Sequence, residues 1–204
     1  MKKSTFLIAV CLISTLFSCN VENVVDENSI LSKQIKDKSK DVTITEGSNT
    51  STEDSNEHCK TVNLIAGQHH TAGIVNIDID GDNLIITYQT NSDWTIDATH
   101  LHLTNCEEDG FPLTGSNNPK IGNFEYSSTH DEGVTEVKYV FDLNEININD
   151  ELCFAAHAEV SGPSEETAWA EGEDFGGNSW AMFVEANLTD CDEDDDDDGG
   201  NTPF

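Results

Sequence analysis

The sequence contains no arginine. Its nine basic residues are all lysine, against forty aspartates and glutamates, which leaves a net charge of −31 over 204 residues. A surface this acidic repels phosphate backbones, and without a guanidinium fork it has no bidentate phosphate contact. Nucleic acid is excluded as a partner, and so is docking on an anionic bilayer through a basic patch. Several motifs are missing as well. There is no Cys-x-x-Cys pair for a thiolate zinc site and no Gly-x-Ser-x-Gly or Ser-x-x-Lys for a nucleophile. No phosphate loop, dinucleotide fingerprint, internal repeat or sustained helical period occurs. Glycosidase-type acid pairs carry no weight, because forty acids produce chance pairs.

What is present begins with an address. Met1-Lys2-Lys3 supplies positive charge and Phe6 to Phe17 is a mostly apolar run of twelve residues. That length suits a signal-peptide core and falls short of the roughly 20 residues needed to span a bilayer. The run ends in Leu16-Phe17-Ser18-Cys19. This segment resembles a bacterial lipobox, although Phe17 is an unusual occupant of its position. The resemblance implies that residues 1–18 are removed and that acylated Cys19 holds the chain to the lipid bilayer of the cell envelope. An oxidising compartment follows.

Residues 19–57 are polar, carry four of the nine lysines and have no aromatic side chain, so the expectation is a lipidated flexible tether. Asp190 to Asp198 holds eight acids in nine positions, and residues 193–204 read as an acidic, solvated tail. Residues 58–192 read as all-β. Ile74 to Asp80 alternates polar and apolar, Leu84 to Thr90 follows, and Asp80-Gly81-Asp82-Asn83 between them is turn chemistry. Further strands are expected at 61–66, 99–106, 123–126, 135–141, 151–160 and 180–188. Seven or eight short strands with polar connections predict an antiparallel β-sandwich.

With Cys11 and Cys19 set aside, Cys59, Cys106, Cys153 and Cys191 allow three pairings, of which the nested Cys59–Cys191 and Cys106–Cys153 is expected. If Cys106 and Cys153 oppose one another on antiparallel neighbours, His102 faces His157 and His100 faces Glu159. Leu101, Leu103, Phe154, Ala156, Ala158 and Val160 then take the core face. Three imidazoles and a carboxylate would share the outer face, a donor set that suits Zn or Cu(II), with His130 able to close over it. The competing reading is a polar face whose histidines bond their neighbours.

Asp78-x-Asp80-Gly81-Asp82 has the spacing of a calcium loop but lacks its bidentate Glu, and reads better as the hairpin turn. Glu165 to Trp180 places five acids and three aromatics in sixteen residues. Glu166, Glu171 and Asp174 are candidate Ca²⁺ or ligand contacts. Trp169 is either a stacking face for a sugar ring, with Phe175 beside it, or a plug in the end of the sandwich. Trp180, alternating with Met182 and Val184, is expected to open the last strand.

His157-Ala158-Glu159-Val160, Glu166 to Gly172 and Trp180 to Phe183 follow Thr99 to His102 and Gly122 to Tyr126. In that order they resemble a β-rich domain of secreted bacterial proteins, over roughly Cys59 to Cys191. The resemblance implies export and β architecture and no activity. Together these readings predict an envelope-anchored ligand-binding or adhesion module, for a glycan or protein ligand and with Ca²⁺ as a candidate aid. The alternative is a Zn/Cu-binding protein using the histidine face.

Overall fold

The structure is a computed structural model that describes residues 42–48, 58–108 and 110–192. The expected signal peptide, the expected acylation site Cys19, most of the segment read as tether and the expected tail at 193–204 lie outside the described residues. Among the described residues eleven strands form: β1 (Val42–Gly47), β2 (Lys60–Ala66), β3 (His70–Asp80), β4 (Asn83–Thr90), β5 (Thr95–Asn105), β6 (Tyr126–Thr129), β7 (Glu136–Asp142), β8 (Glu151–Ser161), β9 (Glu165–Ala170), β10 (Glu173–Asp174) and β11 (Met182–Asn187). All pair antiparallel.

The β3–β4 hairpin shows how the sequence makes the sheet. Asp80 pairs with Asn83, so Gly81 and Asp82 alone turn the chain, and Gly81 takes φ 57°. Only glycine enters that region without a Cβ penalty. Strand order runs β1-β7-β4-β3-β2-β9-β8-β11-β10. β8 pairs along one edge with β5, which carries β6, and along the other with β9 and β11. The β2–β9 pairing therefore links two halves. They fold onto each other: the Tyr88 hydroxyl of β4 donates to the His100 carbonyl of β5 (3.1 Å), and the rings of Tyr126 and Phe141 meet at 4.9 Å. The arrangement is an antiparallel sandwich around one apolar core. Leu101, Leu103, Phe154, Ala156, Ala158 and Val160 all lie in that core, as their alternation requires.

Three strands exceed the expected seven or eight. β1 lies inside the segment read as tether, so the sheet includes Val42–Gly47 as well as strands after residue 58. Val42, Ile44 and Glu46 do alternate, but six residues vanish in the composition of a polar stretch. β9 and the short β10 lie in the acid-rich segment Glu165 to Trp180, where no strand was expected. The strand expected at 123–126 is a 3₁₀ turn (Ile121–Asn123) followed by β6, and Trp180 lies just before β11 rather than within it.

β1 is held by more than its ladder with β7. Glu46 accepts from His130 Nδ1 at 2.8 Å, with the two side chains 7% and 0% exposed. His130 Nε2 meets Thr99 Oγ1 at 2.7 Å, and Thr99 Oγ1 meets the Tyr139 hydroxyl at 2.7 Å. His130 is thus committed to the core side and does not close over the outer histidine face. The chain of groups has the order of a carboxylate–imidazole–hydroxyl relay. Thr99 is completely buried, so no substrate reaches it and the network is structural.

The cysteines pair as Cys59–Cys191 and Cys106–Cys153, with Cα separations of 4.6 and 4.8 Å. Gly73 of β3 sits where strand spacing leaves no room for a side chain. A Cβ there would be driven into the backbone of Gln89 and Thr90 on β4. Gly73→Ala is expected to cost about 2 kcal/mol by forcing these strands apart, read as a lower urea midpoint at unchanged slope.

Candidate functional site

The outer face of β5, β8 and β9 carries His100 and His102, then His157 and Glu159, then Trp169. The pairing differs from the sequence expectation by two residues. His100 faces His157, His102 faces Ala155, and Glu159 faces Ala98. Cys106 explains the difference. It lies past the end of β5, where its N–H bonds the Glu151 carbonyl, and reaches Cys153 diagonally rather than from the directly opposed position. A shift of two preserves parity, so the same side chains keep the same face.

This face is not open. Two segments, 110–125 and 171–181, fold over it and create a second apolar cluster of Phe124, Ala155, Trp169, Phe175 and Ala181. Trp169 is 4% exposed and meets the His157 ring edge-on at 4.8 Å and Phe124 at 6.2 Å. It plugs the cluster, and with Phe175 also buried this pair presents no flat stacking face to solvent. The aromatics that do reach the surface are Phe111, Trp180 and Phe183, half-buried beside Leu113, Ile121 and Met182. Phe111, Phe175 and Phe183 contact one another at 5.1–5.4 Å.

Asn118 locks the two covering segments together. Its Oδ1 accepts from the N–H groups of Asn178 (2.8 Å) and Ser179 (2.9 Å), and its own N–H donates to Thr114 Oγ1 (3.0 Å). Asn117 beside it takes φ 57°, a region asparagine tolerates. Neither Phe111 nor Asn118 stood out in the sequence. The signal was the Pro112-Leu113-Thr114-Gly115-Ser116-Asn117-Asn118-Pro119 turn chemistry, which marks a loop but not what the loop covers.

The histidines have separate environments. His157 Nδ1 and His100 Nδ1 lie 3.3 Å apart, one donating to the other. Burial, reinforced by His100, pushes the His157 imidazole down to about 3. Burial also lowers His100, with the Glu159 carboxylate opposing and His130 assisting. Both rings are neutral at neutral pH. His102 Nε2 donates to the Gly110 carbonyl at 3.0 Å, which leaves a lone pair on Nδ1. That nitrogen is buried and has no hydrogen-bond partner, a deficit of about 1–3 kcal/mol.

The expected carboxylate contacts are not gathered. Glu166 accepts from Ser164 Oγ (2.9 Å), Glu171 from Asn63 Nδ2 (2.7 Å) and Asp174 from the Gly176 N–H (2.5 Å). Asp78 accepts from His58 Nδ1 at 2.8 Å, and Asp80 belongs to the hairpin turn. Among the described residues, no three His, Cys, Asp or Glu side chains already stand as a metal ligand set.

No protein family, no curated protein and no solved structure matches this chain. Function is therefore argued from its own surface. A cleft beside Asn105, lined by Glu108, Glu125 and Glu145, has a volume of about 270 Å³. That is below the roughly 300–1,000 Å³ of ordinary small-molecule sites. The half-buried aromatic patch is the other surface feature able to meet a ligand.

Proposed function

We propose that this protein is an envelope-anchored lipoprotein, held to the bilayer by acylated Cys19, whose β-sandwich is an extracytoplasmic ligand-binding or adhesion module. Two observations support the location: the Leu16-Phe17-Ser18-Cys19 segment and the two disulfides, which persist in oxidising compartments. The binding reading is carried by one feature, the patch of Phe111, Leu113, Ile121, Trp180 and Phe183. A contiguous apolar surface rimmed by polar groups marks an interaction site rather than ordinary surface.

A neutral glycan is the ligand that fits best. Aromatic side chains stack on the apolar faces of sugar rings, while exposed Asn117, Asn178 and Asp174 bond ring hydroxyls. The acidic surroundings disfavour an anionic glycan. Glu166, Glu171 and Asp174 already have partners, so Ca²⁺ is an aid to binding only if it displaces those bonds.

The test is affinity electrophoresis of the full mature chain through gels containing soluble neutral polysaccharides (a β-glucan, a mannan, a xylan), with and without chelator. At least one gel is expected to retard the protein. The Phe111→Ala/Trp180→Ala variant is expected to lose about tenfold or more in affinity, in line with removal of a central aromatic anchor. No retardation in any gel, or equal retardation of the variant, overturns the glycan reading.

A further inference from the structure

We infer that the facing imidazoles of His100 and His157, joined by His102, form a binding site for one divalent transition-metal ion of the imidazole-preferring class, Zn²⁺ or Cu²⁺. The inference does not rest on glycan binding, although Phe111 of the aromatic patch packs 5.9 Å from the His102 ring.

The first argument is geometric. Two nitrogens each about 2.0–2.1 Å from a tetrahedral ion are separated by about 3.3–3.4 Å. His100 Nδ1 and His157 Nδ1 stand 3.3 Å apart, the separation expected of two nitrogens bound to one ion once the proton between them is displaced. As a hydrogen bond the same contact is long, since N–H donors usually sit about 2.7–3.2 Å from their acceptors.

The second argument is the orphaned nitrogen. A histidine that ligates a metal characteristically gives its other N–H to a carbonyl, which fixes the tautomer and leaves the ligating nitrogen bare. His102 shows this arrangement: Nε2 serves the Gly110 carbonyl and Nδ1 is buried without a partner. His102 follows His100 by two residues on β5, so the two side chains share a face. Because no three ligands already converge among the described residues, the ion would have to draw the His102 ring away from Phe111 and Phe124, which pack 5.9 and 5.7 Å from it, with the Gly110 carbonyl following Nε2. Glu159 is an exposed carboxylate on the same face, and its charge is felt at His100. It supplies an oxygen ligand or balances the ion's charge.

The surroundings favour the site. His157 is packed against Trp169, and β5 and β8 pair along most of their length, so two donors are held in place before any ion arrives. His100 is only half-buried, which leaves an approach from solvent. The proton that His100 and His157 share at Nδ1 would move to Nε2 of its own ring, which frees both Nδ1 lone pairs for the ion.

The experiment is titration of the chelator-treated full chain with Zn²⁺ and, separately, Cu²⁺, in excess Mg²⁺ so that the acidic tail is already occupied. Calorimetry counts ions bound, and fluorescence reports Cu²⁺ quenching of Trp169 beside His157. One equivalent of at least one ion is expected to bind with micromolar or tighter affinity. His100→Gln and His157→Gln are each expected to weaken it by about tenfold or more, and His102→Gln likewise. The exposed pair His69→Gln/His70→Gln should leave it unchanged. Retention of stoichiometric binding in His100→Gln, which is half-buried and spares the packing of His157, overturns the inference. So does the absence of stoichiometric binding of either ion to the unmodified chain. Glycan retardation in chelator reads the patch alone, so each idea fails separately.

Discussion

Replacing Cys59 and Cys191 by serine is expected to remove about 5 kcal/mol of unfolding free energy. The bridge joins residues 132 apart in sequence, just before β2 and just after β11. Cutting it releases nearly the whole domain as an open chain in the unfolded state. Loop-closure entropy for that span is about 5 kcal/mol, slightly less with the inner bridge present because that bridge already shortens the loop. A domain of this size has a total stability of about 5–15 kcal/mol, so the loss is a large fraction of it. The inner bridge closes 47 residues and its removal should cost about 4 kcal/mol by the same reasoning. Urea denaturation of both double-serine variants checks the order and the size. A smaller loss for the outer pair than for the inner one would mean that the unfolded chain is held together by something other than the bridges.

The unfolding free energy of the metal-free protein is expected to depend on acid through His157, with a slope of about 1.4 kcal/mol per pH unit. His157 takes up its proton at about 3 in the folded protein, against 6.5 for the unperturbed side chain. Its folded value is depressed, so above 6.5 its contribution to stability is complete. As pH falls from 6.5 toward about 3 the unfolded chain binds a proton that the folded one refuses, and stability is lost. The groups facing it are His100 on β5 and Trp169 on β9, with Glu159 two residues along β8. Carboxylates titrate over part of the same range and, in a chain this acidic, their neutralisation relieves repulsion in the folded state. Comparison with His157→Gln isolates the effect, since glutamine keeps a partner for His100 and does not titrate. The difference between the two stability curves should widen by about 1.4 kcal/mol per unit below 6.5. Parallel curves would show that the folded protein accepts the proton readily and that the ring is not desolvated.

The β3–β4 hairpin was legible because every local signal agreed: alternation on both strands and glycine at the left-handed turn position. The core face of β5 and β8 was legible for the same reason, since period-two alternation survives any error in pairing that is an even number of residues. The His100–His157 pairing was not. It turned on whether Cys106 lay on the strand or beyond it, and that is decided where the ladder ends against the Glu151 carbonyl. β1 and β9 were hidden by composition, because short strands rich in Thr and Glu read as loop until a neighbour supplies the ladder. Trp169 could have been plug or platform. Only the segments folding over the sheet made it a plug, and the same segments brought Phe111 and Trp180 to the surface.

By itself the amino-acid sequence determined the all-β character, the central hairpin and the strand faces that build the main core. These follow from side-chain periodicity and turn stereochemistry, which act over a few residues. The tertiary structure alone decided the pairing of β1 with β7, the register that sets two imidazoles face to face, the burial of His130 with Glu46, and the second apolar layer over the outer face. Each depends on which distant segment packs where, a choice made by long-range burial and hydrogen-bond satisfaction that no local pattern encodes.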